Sequence, residues 1–242
     1  MNSYKTFSYY YDEIMEVIEY DLWVDFVKAY LKDNSNILDL ACGSGTFAHA
    51  INNLGYKISG LDLSEDMIRV AKEKNKINHS EIDFQIQDMC SFNYEKKFDV
   101  ITCFFDSVNF LTKENIKKLF DSVFDNLKEK GYFIFDIFTY NKMRHFHNTT
   151  IKDTLSVGKY KWKMKVKSNV INHKITIIDN KEKVVEKYYE YYYDYEELLD
   201  PRFKVVKIIT DFKDTLDLEN GERILVVLQK WLNQKLSNEF MN

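Results

Sequence analysis

The sequence predicts a three-layer α/β protein. Its centre is a doubly wound, mostly parallel seven-stranded sheet with an antiparallel last strand, and a small antiparallel β flap is inserted into it. Three observations predict this architecture. Between residues 36 and 138, apolar strand-like runs alternate with segments whose apolar residues recur at helical spacing, the pattern of a parallel sheet flanked by helices. Beyond Tyr140 the period drops to two, as in antiparallel strands with one covered and one wet face. From Phe203 to Gln229 two further runs are separated by Asn220-Gly221, a tight-turn signal that finishes the sheet with a hairpin.

The elements follow in order. Ile14, Val17 and Ile18, then Trp23, Phe26, Val27, Tyr30 and Leu31, lie at helical spacing and predict one or two amphipathic helices from Asp12 to Leu31, ahead of the sheet. Asn36 to Ala41 is the first strand and runs straight into Cys42-Gly43-Ser44-Gly45. The helix behind it carries Phe47, Ala50, Ile51 and Leu54 on one face. Tyr56 to Leu61 is the second strand, closed by Asp62, and Ser64-Glu65-Asp66 supplies an N-cap and first-turn acids for a helix to about Lys74. Ile82 to Ile86 is the third strand, ending at Gln87-Asp88-Met89. Phe98 to Phe105 is the fourth, with the near-continuous apolar run of a strand buried on both faces. Ile116, Leu119, Phe120, Val123, Phe124 and Leu127 mark a helix behind Thr112. Gly131 fits its C-terminal turn, and Tyr132 to Phe138 is the fifth strand.

In the inserted unit Lys159, Lys161, Lys163, Lys165 and Lys167 alternate with Tyr160, Trp162, Met164 and Val166, which describes a strand with a solvated lysine face. Val170 to Ile178 and Val184 to Tyr195 are further strands, and Glu186 and Glu190 are expected across from the lysines as cross-strand pairs. These boundaries place residues 1–142 and 200–242 in the core, with an N-terminal helical lid, and residues 143–199 in the flap.

Composition narrows the function classes. The 242 residues are 45% hydrophobic, enough for one well-buried core, and their net charge of -4 offers no global attraction to polyanions, which argues against a dedicated nucleic-acid binder. No apolar run reaches the roughly 18 residues of a spanning helix, and the N-terminus lacks the basic and apolar regions of a signal peptide. A cytoplasmic protein without membrane contact is expected. Cys42, Cys90 and Cys103 stand far apart with no C-x-x-C, so they read as packed thiols, and no metal site is expected.

The densest chemical signal is Ile37-Leu38-Asp39-Leu40-Ala41-Cys42-Gly43-Ser44-Gly45-Thr46-Phe47-Ala48. It is a strand turning into a helix over two glycines, where a ligand can touch backbone and face a helix N-terminus. Gly43-x-Gly45-x-x-Ala48 matches the Rossmann-like dinucleotide fingerprint, and Asp62 lies near the offset for gripping ribose hydroxyls. Three successive strands end in acids: Asp39, Asp62 and Asp88. All would lie at the carboxyl edge, where open α/β sheets bind ligands. A dinucleotide would bring its pyrophosphate close to Asp39, whereas a cofactor without phosphate and with an ammonium group suits that acid better.

These residues resemble the class I S-adenosylmethionine-dependent methyltransferases. LDLACGSGTFA resembles their first motif, GLDLSEDM their second and QDM their adenine-contacting segment, while FDVITCFFDSVNFL resembles the fourth strand and its substrate-side loop. The similarity is closest to bacterial small-molecule enzymes with an antiparallel insertion after the fifth strand. The resemblance implies S-adenosyl-L-methionine as cofactor. Gly43, with Gly45 in the same turn, and the Ala41 carbonyl would approach its methionine part, and Asp39 would hold its amino group through water. Asp62 would take both ribose hydroxyls, Leu63 and Met67 would pack on adenine, Asp88 would receive the adenine amino group, and Met89 would cover the ring. Tyr11 and Cys103 complete the expected cofactor contacts.

For the acceptor, the loop Phe104-Phe105-Asp106-Ser107-Val108-Asn109-Phe110 is not the Asn/Asp-Pro-Pro-Tyr of DNA and protein amide methyltransferases, and the sole proline, Pro201, is not followed by cysteine. Transfer from a sulfonium needs in-line placement of a nucleophile, with a base only where the acceptor must lose a proton. Asp106 is the first candidate for acceptor orientation or base work and Asn109 the second; Asp106 as a cap for the loop is the competing reading. Tyr9-Tyr10-Tyr11 is a candidate lid, His145 and His147 are surface loop residues, and the tyrosines of 188–195 either line an acceptor pocket or pack the small sheet. The expected activity is methyl transfer to a small-molecule N or O acceptor by a monomer or homodimer. The alternatives are an RNA or protein methyltransferase and a non-catalytic cofactor-binding protein.

Overall fold

The computed structural model describes residues 4–156, 158–179 and 182–231. Two helices, α1 (Tyr4–Ile14) and α2 (Tyr20–Lys28), precede a sheet built by β1 (Asn36–Leu40), β2 (Lys57–Asp62), β3 (Asp83–Ile86), β4 (Phe98–Cys103) and β5 (Leu127–Phe138). Helices α3 (Thr46–Asn53), α4 (Glu65–Asn78) and α5 (Lys113–Asn126) make the crossovers, and Ser64 and Thr112 cap α4 and α5 as their positions predict. After a short α6 (Tyr140–His145) come β6 (Thr150–Leu155), β7 (Gly158–Lys167), β8 (Val170–Asp179) and β9 (Glu182–Tyr191), then β10 (Phe203–Thr210) and β11 (Arg223–Lys230).

The main sheet has the order β10-β11-β5-β4-β1-β2-β3. Its first five strands in sequence are parallel, while β11 pairs antiparallel with both β5 and β10. One apolar layer, with Leu119, Phe120, Phe133 and Phe135, covers one face; a second, with Trp23, Phe47, Ile51 and Phe84, covers the other. The second sheet is the antiparallel ladder β6-β7-β8-β9. Its inner face carries Leu155, Ile175 and Ile177 against Tyr10 and Ile14 of α1, and Met164 and Ile171 against Phe138 and Met143.

Three expectations are corrected. Gly131 is not in a helical turn: α5 stops at Asn126 and Gly131 lies within β5, where a Cβ would stand 2.9 Å from the Asp99 carbonyl. Strand β4 ends at Cys103 because Phe105 and Asp106 both take left-handed backbone, at φ 59° and 61°. Glu186 and Glu190 do not oppose the lysines: they pair with Ile175 and Ile171 on the inner face, are 7% and 8% exposed, and leave the lysine face without them. The side chain of Tyr9 and residues 232–242 lie outside the described residues.

Candidate active site

Strand β1 delivers Asp39 to the carboxyl edge of the sheet. The chain then turns through Ala41 (φ 51°) and Gly43 (φ 53°), and Cys42 N–H donates to the Leu61 carbonyl at 2.9 Å, tying the turn to β2. Gly45 (φ 77°) ends the turn, and a Cβ there would stand 2.7 Å from Phe84 Cζ, so the glycine lets α3 start hard against β3. The side on which a Cβ would stand faces Phe84 and Ala71, so the missing side chain makes room for this packing.

Asp39 is nearly enclosed, at 4% exposure, and its Oδ1 accepts from Thr102 Oγ1 at 2.8 Å. Burial, resisted by that hydrogen bond and helped by the charge of Asp62, pushes its carboxyl up to about 7. At the end of β2, Asp62 Oδ2 accepts from Gly43 N–H at 2.9 Å and Oδ1 from Ser64 N–H at 2.8 Å. Burial raises its carboxyl above the ordinary value, and the N–H groups of Ser64, Gly43 and Leu63 oppose the rise. Further along the edge Leu63 is exposed, Met67 is buried, and Asp88 is exposed with Oδ1 accepting from Cys90 N–H at 2.8 Å. Met89 is half-buried. Cys103, expected beside the cofactor, is fully enclosed, with Sγ 4.0 Å from Met89 Sδ, so its sulfur backs Met89 instead of facing a ligand.

Helix α1 lies over this edge. The Ser44 hydroxyl donates to Asp12 Oδ1, Thr46 Oγ1 donates to the same oxygen at 3.2 Å, and Lys74 Nζ stands 2.7 Å from Asp12 Oδ2. Asp12 thus places an acid at the N-terminus of α3, which has no side-chain cap of its own. On its other side α1 holds the flap: Tyr10 O–H donates to Asp179 Oδ2 at 2.6 Å and Ser156 Oγ donates to Glu13 at 3.1 Å. Tyr11 and Tyr20 then roof a cavity of about 30 Å³ lined by Asp39, Ala41, Gly43, Phe104 and Phe105.

The acceptor-side loop rests on a buried charge cluster. Asp136, fully enclosed in β5, accepts from Trp23 Nε1–H at 2.6 Å and from Asp106 N–H at 2.8 Å, and Arg223 Nη1 lies 2.9 Å from it. Arg223 also pairs with Asp106 at 2.8 Å, and Lys142 Nζ reaches Asp106 at 3.3 Å. Despite burial, those two cations hold the Asp106 carboxyl below the ordinary range. The base role expected of Asp106 is therefore corrected: the ionised carboxylate is tied down and holds the left-handed turn. Asn109 is corrected likewise. It is fully buried, its Nδ2 donates to the Tyr191 carbonyl at 2.8 Å and its Oδ1 accepts from Phe138 N–H at 3.3 Å, so it joins the loop to β9 and β5.

The inner face of the flap adds groups that sequence reading missed. Trp162 Nε1–H donates to His173 Nδ1 at 3.0 Å, His173 Nε2 lies 3.1 Å from Glu190 Oε2, and the imidazole stacks on Tyr188 at 4.5 Å. Burial, with the charges of Glu190, Tyr11 and Asp106, drives the Tyr188 phenol well above its ordinary value. The one available signal was an acid, Asp136, inside the apolar run Tyr132 to Phe138; its partner Arg223 lies 87 positions further along the chain. His145 and His147 remain near the surface, with His145 Nδ1 3.5 Å from Glu222. Among the described residues no group of three His, Cys, Asp or Glu side chains is placed to hold a metal ion, and no helix is long and apolar enough to cross a membrane.

A family model described as a methyltransferase domain matches residues 37–131. A Geobacillus sp. (strain WCH70) protein named as a methyltransferase is 30% identical over 246 residues, covering 94% of this chain and 100% of that protein. YqeM of Bacillus subtilis (strain 168), also named as a methyltransferase, is 30% identical over 240 residues, covering 94% of this chain and 97% of its own. Among solved structures, an S-adenosylmethionine-dependent methyltransferase from Clostridium acetobutylicum ATCC 824 matches with a TM-score of 0.82 at 26% identity over 94% of this chain and 99% of that one.

Proposed function

The chain belongs to the class I S-adenosylmethionine-dependent methyltransferases, and from that premise we propose that its acceptor is a small molecule methylated at nitrogen or oxygen. The observation that carries this reading is the roof. Helix α1 is pinned to the turn after β1 through Asp12 and to the flap through Tyr10 and Glu13, so the space beyond Asp39 is enclosed by Tyr11, Tyr20 and Phe105. Such a roof favours a small molecule, enclosed once α1 has lifted and returned, over a polymer.

The residues present fit the cofactor. Asp39 is a buried carboxyl that an ammonium would stabilise in its ionised form, and Asp62 offers two acceptor oxygens to a vicinal diol beside the glycine turn. Leu63, Met67 and Met89 supply apolar faces for adenine, with Asp88 at the rim for its amino group. Gly43 and the Ala41 carbonyl flank the methionine end, under Tyr11. When bound, S-adenosylmethionine would supply a sulfonium methyl group for transfer to a lone pair on the acceptor, the carbon–sulfur bond breaking to leave the neutral thioether. This chain's residues exclude water, orient the acceptor and hold the loop through Asp106, Asp136 and Arg223. Asp106 is ion-paired and the phenols of Tyr11 and Tyr188 are pushed up by burial, so these groups are set as walls and not as bases. An amine whose lone pair is free needs no base, which favours nitrogen.

The test is transfer of tritiated methyl from S-adenosylmethionine into a cell extract split by size. Label in the small-molecule fraction, lost on heat inactivation of the enzyme, supports the reading. Label confined to RNA or protein overturns it.

A further inference from the structure

The outer face of the flap is strongly unbalanced in charge. Every outward position of β7 from 159 to 167 is a lysine, and the register brings Lys152 of β6, Lys174 of β8 and Lys183 and Lys187 of β9 onto the same face. Lys163, Lys174 and Lys187 stand directly opposite one another across three strands, and Lys152 stands opposite Lys161. Like charges placed this way destabilise a sheet. The acids of β8 and β9 at 179, 186 and 190 are turned inward, and among the described residues the one acid that borders the lysine face is the exposed Asp153 of β6, opposite Tyr160. Among the described residues none of these lysines has an ion-pair partner. The repulsion is felt within the face: the charges of Lys163 and Lys152 lower the ammonium of Lys161. In a chain of net charge -4, this concentration is local and cannot be an effect of bulk composition.

We propose that the outer face of the flap is a docking surface for single-stranded RNA. Charge complementarity selects a polyanion, and the shape of the face selects among polyanions. The face is a broad, open depression of about 1060 Å³ between the lysine side chains, a shape that takes an extended chain better than a flat lipid surface. Lysines on one strand repeat every ~6.7 Å and neighbouring strands lie ~4.8 Å apart, so the cations form a two-dimensional grid beneath a phosphate backbone. Tyr189, half of whose surface is exposed, shares a rung with Asn172 and Lys165 and offers a ring for a base to stack on. Asn172 and Thr176, set between lysines, supply donors and acceptors for 2′-hydroxyls. The face points away from α1 and the carboxyl edge, so the RNA docks without entering the methyl-transfer site. The inference is independent of the small-molecule acceptor proposed above.

The experiment is fluorescence anisotropy of the full chain with a labelled unstructured 20-nucleotide RNA at 50 and 200 mM salt. Single-stranded DNA of the same sequence, poly-glutamate and vesicles rich in anionic phospholipid are measured beside it. For four neutralised phosphates the RNA affinity falls about fiftyfold between the two salts, from a slope of roughly -0.7 per phosphate. The variant Lys161→Gln/Lys163→Gln/Lys174→Gln/Lys187→Gln is expected to lose at least about tenfold in RNA affinity, to flatten the salt slope, and to melt no lower than the parent because repulsion has been removed. Absence of RNA binding at 50 mM salt overturns the proposal. So does undiminished binding by the variant, or DNA, poly-glutamate or vesicles binding as tightly as RNA.

Discussion

Asp39 links burial to the pH at which the site works. Its carboxyl is raised from an ordinary 3.8 to about 7, chiefly by burial, so the folded protein keeps a proton that the unfolded chain releases. The stability this contributes is present below about pH 4 and is lost as pH rises towards 7. Binding of an ammonium runs the other way, since it requires the ionised form. The affinity for adenosylhomocysteine is expected to rise about tenfold from pH 6 to pH 8, with a proton released on binding, and calorimetry in buffers of different ionisation enthalpy reads both. Asp39→Asn should flatten the profile. Arg223 acts on the opposite side of the site, as the shared partner of Asp106 and Asp136 and stacked 5.1 Å from the Trp23 ring. Arg223→Met leaves the enclosed Asp136 without a cation and Asp106 with Lys142 alone, and is expected to cost ~3–5 kcal/mol of stability in urea unfolding.

The glycine turn and the lid show how a single position governs an element. Gly45→Ala puts a methyl group 2.7 Å from Phe84 at a φ of 77°, and a loss of ~1–3 kcal/mol is expected from the strain, read as a lower melting temperature. The roofed cavity beside Asp39 measures about 30 Å³, far below the hundreds of Å³ of a ligand site, and α1 is expected to lift as a ligand enters there. Asp12→Ala removes the contacts to Ser44, Thr46 and Lys74 and should speed adenosylhomocysteine dissociation about tenfold, as expected for the loss of charge-assisted hydrogen bonds. Hydrogen exchange over residues 4–14 should rise with it. The acids ending β1, β2 and β3 were legible because periodicity and a glycine turn are local signals. The Asp12 latch was not, since it joins residues more than thirty positions apart with no shared pattern. The placement of Glu186 and Glu190 was misread for a sharper reason. The pairing Lys167↔Val170 across a two-residue turn puts odd positions of β7 opposite even positions of β8, and Val170↔Tyr191 repeats the inversion. Odd lysines therefore share a face with odd positions of β9, and the even glutamates are turned inward. Asp106 and Asn109 were located correctly in the loop after β4, but their partners come from β5, α6, β9 and β11 and decide their chemistry.

At the scale of the molecule, cofactor and fold are one equilibrium. At about one hundred times its dissociation constant, adenosylhomocysteine should add ~2.7 kcal/mol of stability, a rise of roughly 5–10 °C for a chain of this size. A thermal-shift titration checks this beside NAD, which is expected to leave the melting temperature unchanged. The strand order carries a further consequence for the growing chain on the ribosome. β11 inserts between β5 and β10, so β5 keeps an open edge until residue 230 has emerged, long after both apolar layers begin to assemble. The guanidinium that neutralises Asp106 and Asp136 arrives on that same strand, at its first residue. Until then the loop after β4 has buried acids without their shared cation, and the acceptor side of the site is the last part of the enzyme to take shape during synthesis.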